Sequence, residues 1–117
     1  MDRDARYLLD MLMAANRILD QAHGRRRGDL DQDLSLQETV YWQTCVIGEA
    51  AGHLTTEFRE AHPEEPWHKI IGLRHRIIHG YGDIDNDIVW DVVTTYLPGL
   101  VALLSGLVPF VESNGQE

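Results

Sequence analysis

From one end of this chain to the other, apolar residues recur at the three- and four-residue spacing of a helix. Nowhere do they alternate as a half-buried strand requires. Tyr7, Leu8, Met11, Leu12, Ala15, Ile18, Leu19 and Ala22 mark one stripe, which predicts a first helix from about Arg3 to Ala22. A second helix is expected to start at "SLQE", where Ser35 and Glu38 fit a capping box, and to run on until Pro63 stops it. Its buried stripe would be Val40, Ile47, Ala51, Leu54 and Phe58. Pro66 suits the first turn of a third helix, "PWHKIIGLRHRIIHGY", with Trp67, Ile70, Arg74, Ile77 and Tyr81 on one face. After the turn "GYGDIDND", Asp85 or Asn86 can cap a fourth, and Pro98 with Gly99 should kink or split it. The expectation is all-α: an antiparallel, up-and-down bundle of four or five helices, with residues 1–117 forming one domain.

The remaining segments narrow the class. "HGRRRGDLDQD" reads as a solvent loop. Residues 92–111 carry no charge, which is near the length of a membrane span. Two prolines, two glycines, two threonines and the lack of flanking lysine or arginine favour a core helix, so no membrane association is expected. No basic segment followed by an apolar run opens the chain, so no signal peptide is expected. Cys45 is the single cysteine, and it falls in an apolar helical run. It reads as a small buried hydrophobe in a reducing compartment, and the expected location is the cytoplasm.

The net charge of −9 argues against loose binding to nucleic acid, because phosphate contacts need cations. The distribution of charge says more. From Pro66 to Gly82 there is no acidic residue, while Lys69, Arg74 and Arg76 are cationic and His68, His75 and His79 can become so. This is a cationic island on an anionic protein, a pattern suited to a localised anion site.

Within the island, Arg74 and Tyr81 lie seven residues apart and share a helix face. Arg74 and His79 would point about 140° apart on a regular helix. Gly80 and Gly82 permit the loosening that would let His79 join them. An arginine holds a phosphate bidentately, and a histidine moves a proton near neutral pH. Together they suffice for metal-free RNA cleavage, in which the substrate's own 2′-hydroxyl attacks the adjacent phosphate. Two other readings stand beside this one. Arg74 can form a buried salt bridge with Glu49 while His79 caps a helix end. Alternatively, His75 and His79, four apart, can bind a metal, although no third ligand lies nearby in sequence.

The stretch from Arg74 through His79 to Tyr81 resembles the Arg-x4-His-x-Tyr signature of the HEPN superfamily, and specifically its HepT-like toxins. "GEAA" at 48–51, "PW" at 66–67, "DIDNDIVW" and "YLPGL" at 96–100 resemble the family in the same order. The resemblance implies a homodimer whose two motifs face each other across a composite cleft. It further implies a metal-independent endoribonuclease without a cofactor, leaving a 2′,3′-cyclic phosphate, with Arg74 and His79 catalytic. The implied partner is a minimal nucleotidyltransferase antitoxin that transfers AMP from ATP onto Tyr81. His75 stands where many relatives carry asparagine, so it shares the candidate proton chemistry with His79. Glu49 is expected to orient Arg74 or His75. The competing function is a non-catalytic HEPN module that binds a nucleotidyltransferase or a nucleotide.

Overall fold

The computed structural model describes residues 3–80 and 84–108. Those residues form helices and connections, with no strand among them. Four rods build the bundle: α1 (Arg3–Ala22), α3 (Leu34–Gly52), α5 (Trp67–His79) and a continuous helix over Asn86–Leu107. Two six-residue helices, α2 (Arg27–Gln32) and α4 (Thr56–Ala61), sit in the connections. The all-α expectation holds. The smallest extent of the molecule, 20 Å, is about two helix diameters, so most helices keep one face at the surface.

The core runs through all four rods: α1 packs on α3 and on the last rod, and α5 adds Trp67, Ile70 and Leu73 against α3. Met11, Ala15 and Ile18 of α1 and Val40, Ile47 and Ala51 of α3 are all at 1 % exposure or less. From the last rod, Val93, Leu97, Leu100 and Leu104 close over α1. That rod is long and apolar enough to cross a membrane by length and composition, and here it forms one wall of the core.

Four local expectations are corrected. The segment at 25–33 is not simply a solvent loop. Arg25 pairs with Asp33 at 2.7 Å and Asp29 at 3.4 Å, and these contacts hold α2 in place. Leu30 of α2 is fully buried. The cap of α3 is Asp33, whose carboxylate accepts from the Leu36 amide at 3.2 Å, so the Ser35–Glu38 capping box is not used. An aspartate two residues earlier takes the role because it also receives Arg25.

The long second helix is also broken, at Gly52. His53 and Leu54 leave the helix, Leu54 turns into the core at 3 % exposure, and Thr55 caps α4 by accepting from Phe58 at 3.2 Å. Asp4 of α1 fixes this break, accepting from the Thr55 amide at 2.9 Å and its hydroxyl at 2.7 Å. Periodicity is blind to such a break, because the buried stripe continues across it.

The last rod comprises α6 (Asn86–Asp91), a π-helical turn (Val92–Tyr96) and α7 (Leu97–Leu107). Asp85 caps it, accepting from the Asp87 amide at 2.9 Å. Pro98 does not split the rod. The wider turn just before it, closed by the Leu97 amide bonding the Val92 carbonyl, accommodates the ring and the missing donor.

A candidate anion site on helix five

Helix α5 packs on α3 unusually closely at one point. A Cβ at Gly48 would lie 2.5 Å from Arg74 Cβ and 3.2 Å from the Ile70 carbonyl oxygen. Only the hydrogen of glycine lets the two backbones approach this far. The contact seats the stem of Arg74 against α3, close to the carboxylate of Glu49. Arg74 Nη2 then meets Glu49 Oε1 at 2.8 Å, while Glu49 Oε2 lies 3.0 Å from His53 Nε2. The His53 ring in turn stacks on Tyr7 at 4.9 Å and 12°.

The sequence anticipated the Glu49–Arg74 pair, but not its setting. The side chains are 35 % exposed for Arg74 and 53 % for Glu49, so this is a surface pair rather than a buried bridge. It orients the guanidinium while leaving part of it in contact with solvent. A hollow of about 380 Å³ opens beside it, lined by Tyr7, Asp10, Trp42, Cys45, Glu49, Arg74 and Ile78. Burial pushes the Cys45 thiol up, against the opposing influence of Arg74. That keeps it protonated and fits the reading of a packing residue.

His75 and His79 lie elsewhere. Their rings are 4.4 Å apart at 49°, and they line a second hollow of about 470 Å³ with Leu73, Arg76, Ile84 and Ile88. Both histidines are exposed. Helix α5 stays regular through His79, so the loosening that would bring His79 to Arg74 does not occur among the described residues. Gly80 has φ −107°, and a Cβ there would collide with the Arg76 carbonyl oxygen. The structure thus brings Arg74 together with Glu49, and His75 with His79, but not Arg74 with His79 in one hollow of one chain. Tyr81 lies outside the described residues.

Sequence reasoning missed His53, Tyr7 and Trp42 as neighbours of Arg74. His53 had a readable signal, four residues past Glu49 in the sequence, although in the fold it closes the end of α3. Tyr7 and Trp42 had none, because they reach the site only through the packing of α1 and α3. Among the described residues no group of three or more histidines, cysteines or acids is placed to share a metal ion.

The helical bundle with an arginine and two histidines on one exposed helix defines a class, and comparison with known proteins names it. The profile of the family described as Ribonuclease HepT-like matches residues 11–106. The chain belongs to this HepT-like family of the HEPN superfamily. It is similar to a protein of Caldanaerobacter subterraneus subsp. tengcongensis named "Putative RNase", at 31 % identity over 80 % of this chain and 84 % of the relative. A Methanocaldococcus jannaschii protein of the same description is 28 % identical over 94 % of this chain and 91 % of its own length. The "Probable ribonuclease HepT" of Thermococcus cleftensis is 34 % identical over 58 % of this chain and 62 % of its own. No solved structure matches.

Proposed function

We propose that the chain is a metal-independent endoribonuclease, the toxin of a two-component system, acting as a homodimer. One observation carries the reading: an arginine held by a carboxylate yet partly open to solvent shares an exposed helix with two unburied histidines. The names of the relatives, which describe ribonucleases, support the substrate class. In the proposed reaction the 2′-oxygen attacks the neighbouring phosphorus and the bond to the 5′-oxygen breaks. One imidazole, His79 with His75 as its neighbour, takes the proton from the 2′-hydroxyl, and a protonated imidazole returns one to the departing 5′-oxygen. Arg74 holds the non-bridging oxygens as negative charge grows on them. The products are a 2′,3′-cyclic phosphate and a 5′-hydroxyl, and no water or metal takes part.

Because Arg74 and His79 face different hollows of one chain, we place the reacting phosphate between two copies of α5. Exposed Trp42 at 68 % and Ile78 at 37 %, which line the Arg74 hollow, offer apolar area for that contact. The last rod offers little such area, since Leu100 and Leu104 are spent on the core. Silencing would come from a nucleotidyltransferase antitoxin that transfers AMP to Tyr81, planting a phosphodiester beside the anion site. A reducing cytoplasm suits the single free thiol of Cys45.

A second reading, a non-catalytic module that binds its partner, draws on the net charge of −9 and on Glu49, which offsets part of the Arg74 charge. The deciding experiment treats total RNA with wild type, Arg74→Ala and His79→Ala in excess EDTA and analyses the new ends. Cyclic-phosphate ends from wild type alone are expected. No cleavage by protein shown by mass to be free of AMP favours the binding module.

A further inference from the structure

Helix α5 carries a second arginine whose surroundings differ from those of Arg74. Two residues on, Arg76 points about 200° around the helix, toward the last rod instead of α3. It is exposed, and among the described residues it has neither ion pair nor side-chain hydrogen bond. Its neighbour Lys69 is engaged, donating to the Tyr96 hydroxyl at 2.8 Å with its ammonium 4.7 Å from that ring's centroid. Arg76 lines both hollows between α5 and the last rod, the one with His75 and His79 and a second of about 550 Å³ with His68 and Lys69. Arg76 and His79 are three residues apart, so they are neighbours on the helix surface in a way that Arg74 and His79 are not.

The opposite wall is acidic, with Asp85, Asp87 and Asp91. Each of these acids is engaged elsewhere. Asp85 caps α6, Asp87 pairs with Arg27 at 2.6 Å, and Asp91 accepts from Thr95 at 3.0 Å. None reaches across to Arg76. These carboxylates repel an anionic strand from the α6 wall and leave the α5 wall as the attractive one.

We propose that Arg76 holds an RNA phosphate next to the scissile one, in the hollow it shares with His75 and His79. The substrate backbone then runs from Arg74 of one copy, past His75 and His79 of the other, to that second copy's Arg76. Arg76 is the freer tether of the two arginines, since among the described residues no carboxylate pairs with it as Glu49 pairs with Arg74. This deepens the nuclease reading and rests on it, naming a single-stranded RNA with a phosphate beyond the cleaved bond as the substrate class.

The test compares a dinucleoside phosphate, which has only the scissile phosphate, with a longer single-stranded RNA. For Arg76→Ala, kcat/KM on the longer RNA should fall about tenfold further than on the dinucleotide, mostly through KM, and Arg76→Lys should recover much of the loss. In parallel, binding of a 2′-O-methyl oligonucleotide, which cannot be cleaved, is followed against salt concentration. Arg76→Ala should flatten the log–log salt slope by about 0.7, the share of one phosphate on a single strand. The binding arm stands even if wild type cleaves nothing, so failure of this proposal and failure of the nuclease reading are told apart. Equal losses on both substrates, an unchanged salt slope, or no oligonucleotide binding by wild type would each overturn it. The last result would point instead to an acidic protein surface as the occupant.

Discussion

Two arginine clusters of this protein look alike in sequence and behave oppositely in the fold. In the first, Arg25 and Arg27 are saturated: Asp29 and Asp33 take one, Asp31 and Asp87 the other. Their charge is spent on fastening α2 to α3 and α6. In the second, Arg74 meets one half-exposed carboxylate and Arg76 meets none among the described residues. A run of cations therefore says little about anion binding until the acids that surround it are counted. The gap in acids from Pro66 to Gly82 is the feature of the sequence that distinguishes the two.

The comparison can be broken by substitution. The largest effect is expected at Arg74→Ala, which should lower the rate of RNA cleavage about 10²- to 10³-fold. Arg25→Ala should leave that rate unchanged, and single-turnover cleavage of a defined RNA checks both. Next comes Gly48→Val, which forces α3 and α5 apart at the point where Arg74 is seated. It should cost about 1–3 kcal/mol, read as a lower melting temperature, and should weaken cleavage along with stability. Asp33→Ala removes the cap of α3 and a partner of Arg25. A loss of about 1 kcal/mol in urea unfolding is expected, with the cleavage rate of the remaining folded protein intact.

The smallest effect is on acid stability. Asp29, Asp31 and Asp33 are held below the ordinary carboxylate range, chiefly by the Arg26 amide, the Asn86 side chain and Arg25 respectively. A carboxylate depressed in the folded state stabilises fully above its unfolded value, near ~3.9, and stops doing so as pH falls through the folded value. Loosening of α2 should thus begin below about pH 4. Hydrogen exchange at the Leu30 amide should show it before α5 responds.

How far the fold was legible follows the same logic of local against distant partners. The four rods were visible because each keeps a helical stripe, and Asp85 was visible as a cap because its acceptor serves the next turn of its own chain. The Asp33 cap was overlooked in favour of Ser35, since the choice depends on Arg25, eight residues away. The break at Gly52 depends on Asp4, whose partner Thr55 is 51 residues along the chain, and no periodicity reports it. At the site, Glu49 and Arg74 were paired from sequence. That Arg76, and not Arg74, accompanies His79 follows from the angles of a regular helix. The expectation that glycines would unwind the helix end obscured it.

The central claim is that Arg74 and His79, which face apart in one chain, act together across two copies. Mixing Arg74→Ala and His79→Ala chains tests this most directly, once each is shown to be inactive alone. Chains denatured together and refolded as mixed dimers should regain up to about a quarter of wild-type cleavage, since half the dimers then hold one intact pair across the two-fold axis. Mixed dimers that form and remain as inactive as either parent would contradict the account.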